Sequence, residues 1–347
     1  MKGIEITLEE LIKARPAKSV TGFAPSGKVS THQWGMFRSA FLGQGMEFAE
    51  SRVYQTGDDV RNIDWRITAR TGKTHTKLFH EERERPIYLL VDMRSMMHFA
   101  TRTRFKANMV AEIASMLAWV GFDGGDRVGG QILTRVDRLG SGNDRSVGGN
   151  IDNDNSNTDI ANATGIVDFR GARTRRAVLR FLERLAEETR FAYPSTTQPT
   201  IHTTPHQNAN LATPLALPKR QEVSLAKGIH RLRKTARTGS LVFVLSDFYD
   251  FDEQSRQELV RLSAHSQVTL IQVNDPLDKA LPAGAGRLSD GLASIDLSAL
   301  TNQQLQGYSQ AFLDRQQQIY QMCAKHGMVL HQLLTSDDVK QILGGRK

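Results

Sequence analysis

Apolar residues in this chain fall into two patterns: short unbroken runs, and longer stretches in which they recur every three or four positions. The unbroken runs at 87–91, 241–245 and 268–273 have the length and composition of strands buried on both faces, as in a parallel sheet. Each is followed within two residues by a carboxylate: Asp92, Asp247 and Asp275. Helical spacing of Phe105, Met109, Ile113, Met116, Leu117 and Val120 predicts an amphipathic helix over 102–120. Similar spacing predicts helices over 174–188, 223–238, 255–265 and 304–326. Further strands are expected at 127–133 and 328–334, and a hairpin-like pair over 287–297. Ser336, Asp337 and Asp338 predict the cap of a short terminal helix. Strand, helix and strand in succession form a βαβ unit, and parallel strands need helices on both faces.

The first 85 residues read differently. Leu8, Leu11 and Ile12 share one face of a short helix over 5–15, Thr7 and Glu10 have capping-box spacing, and Pro16 ends it. A Gly/Ser/Pro-rich connector follows over 20–30. Ile63, Trp65 and Ile67 alternate with polar residues, which predicts a strand or extended edge, and 74–79 also alternates. Residues 141–165 are nearly all Gly, Asn, Asp and Ser, and 191–220 holds half of the prolines, so both are expected to be flexible insertions. The expected organisation is a helix and linker over 1–30, a segment over 31–85 packed on the core, and one α/β domain over 86–347. That domain has a doubly wound, mainly parallel sheet, and the N-terminal extension is β-rich.

Composition narrows the function. With 45 Lys and Arg against 37 Asp and Glu the net charge is +8, moderate for 347 residues. Only 7% of residues are aromatic, which disfavours stacking platforms for single strands. Basic helices carry Arg170, Arg173, Arg175, Arg176 and Arg180, then Lys227, Arg231, Arg233, Lys234 and Arg237, a pattern that reads first as solvated faces and second as a nucleic-acid surface. The single cysteine, Cys323, excludes an intrachain disulfide and a multi-thiolate metal site, and reads as a packed thiol. The first residues lack a signal-peptide pattern and no apolar run approaches the about 18 residues of a membrane span, so a cytoplasmic protein is expected. No Gly-x-Ser-x-Gly elbow, His-Glu-x-x-His pair or phosphate-binding Gly-Lys-Ser/Thr loop is present.

Strand-end carboxylates are the chemistry on offer. In open α/β sheets ligands gather at the C-terminal strand ends, where such carboxylates hold a hard cation such as Mg2+ or cap helix N-termini. The charges of 47–83 (Glu47, Arg52, Asp58, Asp59, Arg61, Asp64, Arg66, Arg70, Glu81, Glu82 and Arg83), with Trp65 among them, predict an ion-pair network that clips this segment to the sheet.

The run Gly45-Met46-Glu47-Phe48, Arg52-Val53-Tyr54, Gly57 to Trp65, Ala69-Arg70, Lys77-Leu78-Phe79 and Glu81-Glu82-Arg83, with the later Asn274-Asp275-Pro276-Leu277, resembles the bacterial family called domain of unknown function 58. The resemblance extends from about Ser30 to the C-terminus, less the two insertions. It implies a von Willebrand factor A-like fold and a partnership with a MoxR-type AAA+ ATPase, or with another von Willebrand factor A protein, in a chaperone-like assembly. It implies no catalytic activity. The related adhesion site takes its metal from an Asp-x-Ser-x-Ser motif plus a later Thr and Asp. Here the motif positions are Asp92, Arg94 and Met96, with Ser95 between them, and Asp247 matches the later Asp. An arginine cannot ligate a metal and a thioether suits magnesium badly. The resemblance therefore implies a degenerate site, with metal contacts reduced to Asp92 and Asp247. Arg94 stands in for the cation beside Asp92 or Asp247. The expected function is a non-enzymatic adaptor that docks through Asp92, Arg94, Ser95, Ser246, Asp247 and Asp275, without a cofactor unless Mg2+ is retained. The competing readings are a metal-dependent hydrolase or nuclease built on Asp92, Asp247 and Asp275, and a nucleic-acid-binding protein.

Overall fold

The computed structural model describes residues 3, 5–16, 38–43, 47–82, 86–135, 165–190, 222–282, 284, 286–289 and 294–339. The linker at 20–30, nearly all of both predicted insertions and the predicted terminal helix beyond Val339 lie outside the described residues.

A six-stranded sheet forms the centre, built from β4 (Ile87–Asp92), β5 (Val128–Leu133), β6 (Ile166–Ala172), β7 (Leu241–Ser246), β8 (Gln267–Asn274) and β11 (Val329–Leu334). Its order is β11-β8-β7-β4-β5-β6, parallel throughout except for the β5–β6 pair. The antiparallel edge strand β6 has no counterpart among the sequence expectations. After the buried Ile166 its side chains (IVDFRGA) alternate between half-buried and exposed, and it follows directly on the polar insertion.

Helices cover both faces. On one, α1 (Leu8–Lys13), α3 (Lys106–Asp123) and α4 (Arg175–Thr189) pack over Ile87, Leu89, Val91, Phe243, Leu245 and Ile271. On the other, α5 (Leu225–Thr235), α6 (Glu253–Ser263) and α8 (Asn302–His326) pack over Leu90, Val242, Val244 and Leu270. Alternate residues of each strand thus feed opposite cores, and full burial of one Leu or Val side chain contributes about 1.5–3 kcal/mol.

Helix α3 corrects an expectation. It is buried nearly all round rather than on one stripe, because α1 and α4 close over its outer side. Leu11, wholly buried, anchors α1, and its carbonyl accepts from Ser115 Oγ at 2.7 Å. The predicted Thr7–Glu10 capping box is formed. Cys323 is buried in the second core, and burial pushes its thiol up to about 12. A methyl group at Gly130 would stand 2.0 Å from the Leu89 carbonyl oxygen, so the β4–β5 pairing admits only glycine there.

The segment before the sheet makes a three-stranded antiparallel sheet of β1 (Arg38–Gly43), β3 (His75–Glu82) and β2 (Glu47–Val53), in the order β1-β3-β2. Residues 63–67 do not extend it as a strand. Asp64 accepts from the backbone N–H groups of Arg66 and Ile67, and so starts a helix, α2 (Trp65–Thr71), that ends on Gly72 in the left-handed region. Capping overrode the two-residue alternation, and Trp65 is left exposed. The predicted hairpin is the pair β9 (Arg287–Ser289) and β10 (Ser294–Asp296). Ahead of this pair β8 leads through a one-turn helix, α7 (Pro276–Lys279), into the C-terminal part of the chain.

Candidate functional site

The chain leaves β4 for β5 on one flank and returns to β7 on the other, so the loops after β4 and β7 diverge and leave a crevice at the C-terminal ends of these strands. Asp92, the last residue of β4, is 1% exposed. Its carboxylate accepts four donors. Arg94 N (3.1 Å) and Nε (2.9 Å) reach Oδ1, and Arg94 Nη2 (2.7 Å) and Ser246 Oγ (2.7 Å) reach Oδ2. The two-residue spacing makes this possible, since a short Asp side chain folds back on the N–H two residues ahead.

Arg94 also reaches across the crevice. Nη1 donates to Asp250 Oδ2 at 2.6 Å and to the Val223 carbonyl at 3.0 Å, and Nη2 donates to Asp250 Oδ1 at 2.8 Å. All five guanidinium N–H groups are therefore satisfied. Burial lowers the affinity of this group for its proton, but Asp92 and Asp250 override it and hold Arg94 well above its ordinary value. Asp250 Oδ2 also accepts from Leu225 N at 2.9 Å, which joins the start of α5 to the same cluster.

A second buried cation lies alongside. Lys106, the first residue of α3, is wholly buried, and Nζ donates to Asp247 Oδ2 at 2.7 Å and Asp278 Oδ2 at 3.2 Å. Burial opposes its charge, yet Asp247 and Asp278 keep Lys106 above its usual value, and Lys106 in turn overrides burial to hold Asp247 below its usual value. Asp247 Oδ1 accepts from Tyr249 N at 3.0 Å. Between them Phe248 takes φ +54°, a strained conformation for a bulky side chain, and it turns Tyr249 outward. Arg315 lies over the Tyr249 ring at 5.4 Å and donates to its carbonyl at 2.9 Å.

The expected site residues therefore divide. Asp92, Arg94 and Ser246 form one hydrogen-bonded unit, and Asp247 is close by through Lys106. Ser95 is half-buried and donates both N–H (3.1 Å) and Oγ (2.5 Å) to Glu222 Oε1. Burial raises Glu222 above the usual carboxylate value, against the pull of Ser95. Asp275 does not belong to a surface. It is wholly buried, caps α7, and accepts from Thr101 N and Oγ1, Leu277 N and Thr335 Oγ1. Arg94 pairs with Asp92 and Asp250 rather than with Asp247, whose cation is Lys106. Sequence reasoning missed Lys106, Asp250, Glu222 and Tyr249. The signal for Lys106 was a lone lysine opening an otherwise apolar helix.

The charged side chains described in the N-terminal segment that form bonds do so within it. Among the described residues, Asp58 pairs with Arg52 at 2.7 Å and accepts from Gln55 N. Asp59 caps a 3-10 turn through Arg61 N, and Asp64 accepts from Ser51 Oγ as well as capping α2. Arg61, Arg66 and Arg70 are exposed. Among the side chains described at 50–78, none belongs to either core cluster. The side chains of Glu47, Glu81 and Glu82, and Arg83 altogether, lie outside the described residues.

The crevice does not suit a metal ion. Four donors occupy the about four lone-pair positions of Asp92, and the guanidinium fills the space between Asp92 and Asp250. Among the described residues no group of three or more His, Cys, Asp or Glu side chains is spaced to hold a metal. Nor does any described helix have the length and apolarity to cross a membrane.

Two predictions follow from these contacts. Arg94→Ala leaves Asp92 buried and unpaired, so it is expected to lower the urea unfolding free energy by about 3–5 kcal/mol, with Arg94→Lys losing less. Asp247 and Asp275, whose hydrogen bonds also override burial, titrate below the ordinary 3.8. Their contribution is complete above that value and is lost as pH falls below it. Melting temperature is expected to stay level from about pH 7 to 5 and to drop below about pH 4, less steeply in Asp275→Asn.

Comparison with known proteins places these features in a family. Uncharacterized proteins of Mycobacterium bovis and Mycobacterium tuberculosis are 38% identical over 99 residues, 27% of this chain. The match spans 31% of those curated relatives' length. No solved structure matches the chain. The family model described as "Protein of unknown function DUF58" matches residues 50–141 and 157–312, most of the chain, so this protein belongs to the DUF58 family.

Proposed function

We propose that the protein is a non-enzymatic adaptor that docks a partner protein at the crevice between β4 and β7, and that a MoxR-type AAA+ ATPase is that partner in a chaperone-like assembly. In this reading the main domain is von Willebrand factor A-like. The sheet order supports it, with β4 and β7 central and leading to Asp92 and Asp247 at the point where the chain reverses. The observation that carries the proposal is Arg94. Its fully satisfied guanidinium stands at the centre of the crevice and joins the loop after β4, the entry to α5 and the loop after β7. The crevice is thereby held in one shape without a metal, as a degenerate adhesion site.

The buried residues set the shape and the rim meets the partner. Tyr249 is 39% exposed, backed by Arg315 and flanked by Asp247 and the half-buried Asp250. Tyrosine and arginine are the side chains that most often carry binding energy at interfaces. Asp250 and Asp278 remain partly open to solvent and give the rim a negative character that suits basic groups on the partner.

The test is capture of a MoxR-type ATPase of the same organism with ATP present. Capture is expected with the wild-type chain. It is expected to fall at least about tenfold in Tyr249→Ala, the loss of one hot-spot side chain, with an unchanged melting temperature. Absence of capture by the wild-type chain, or full capture by Tyr249→Ala, would contradict the proposal.

A further inference from the structure

At the opposite end of the sheet a second cleft opens between the end of α5 and the foot of β5 and β6. Its lining includes Tyr88, Arg127, Arg170, Thr235 and Arg237, and its volume is about 290 Å³. The topology brings these residues together. Strands β4 and β5 begin at this end, the antiparallel β6 finishes here, and α5 runs down to it. The side chains of Arg170 and Arg237 are exposed and form no hydrogen bond or ion pair among the described residues. Arg127 is half-buried beside them. The carboxylate in the lining, Asp168, is already compensated by Arg231 and accepts from Gln131 Nε2 at 2.8 Å.

Tyr88 supplies a second, independent observation. It is 7% exposed, and its hydroxyl has no hydrogen-bond partner among the described residues. The ring is buried while the hydroxyl opens onto the cleft, where it is left to bond a ligand. The oxygen lies over Gly171, where an added methyl would stand 3.7 Å away, in van der Waals contact, so glycine leaves that side of it uncovered. The cleft thus offers a neutral donor at its base and three guanidinium groups in its wall. Solvated surface arginines alone would not need the tyrosine hydroxyl left open behind them.

We propose that this cleft binds the phosphate group of a small molecule. Guanidinium groups engage phosphate oxygens through paired N–H donors, and the excess of positive charge suits a dianion. The enclosure favours a small molecule over a polynucleotide backbone, because a duplex or strand riding over the surface does not reach the base of the cleft, formed by the largely buried Tyr88. The cleft is remote from the crevice of Arg94, so the proposal stands independently of the docking function. The basic helices α4 and α5 pack on opposite faces of the sheet and do not themselves make one stripe for nucleic acid.

Calorimetric titration of the full chain with pyrophosphate, with a nucleoside diphosphate and with a single-stranded oligonucleotide of about 20 nucleotides tests this. Saturable one-to-one binding of either small phosphate is expected. Arg170→Ala/Arg237→Ala is expected to weaken it at least about tenfold and Tyr88→Phe several-fold, the scale of lost hydrogen bonds to a charged ligand. Melting temperatures should be unchanged, since none of these groups holds another residue. Absence of saturable binding by both small phosphates would overturn the proposal. So would affinity unchanged in both variants, or binding confined to the oligonucleotide and retained in Tyr88→Phe.

Discussion

Arg94 accepts the cost of burial to hold two aspartates and a backbone carbonyl that come from three separate loops. Taking its charge out of water is unfavourable by several kcal/mol. That cost is offset only because every N–H finds an acceptor and both carboxylates are gripped in paired geometry. Remove the guanidinium and Asp92 has no counter-charge, Asp250 is released, and the entry to α5 loses its tie to the loop after β7. The shape of the crevice depends on this one side chain.

Lys106 repeats the arrangement one step along the sheet edge, between Asp247 and Asp278. Together the two side chains supply two positive charges where strand-end carboxylates converge. A bound ion would supply such charges reversibly and would couple the shape of the edge to its concentration. Covalently attached cations remove that coupling, and neither titrates in the physiological range, since both are held above their usual values. The edge is built as a permanent surface. Its strained point, Phe248, presents Tyr249 to solvent.

Much of this was legible in the sequence. The buried strands showed as continuous apolar runs, and the aspartates at their ends marked the edge where the buried ion pairs gather. The substitution of arginine at position 94 correctly pointed to an internal ion pair. What escaped was set by tertiary contacts. Asp250 lies outside any motif and meets Arg94 only because β7 pairs beside β4. Lys106 looked like an ordinary first-turn lysine until α3 proved to be buried on all sides. Asp275 looked equivalent to Asp92, but it faces Thr101 and Thr335 instead of a cation. In the N-terminal segment the alternation at 63–67 lost to local capping by Asp64, and of the charges read as a clasp, Asp58, Asp59 and Asp64 bond to local turns and caps. Strand β6 was hidden because its exposed edge position leaves it without an apolar run.

The central claim is that Arg94 and Lys106 take the place of a bound cation at this edge. Titration of Mg2+ and of Mn2+ into the wild-type chain by calorimetry tests it most directly. The account predicts no saturable heat with either ion. Binding in the micromolar range by the wild-type chain, abolished in Asp92→Ala, would contradict it.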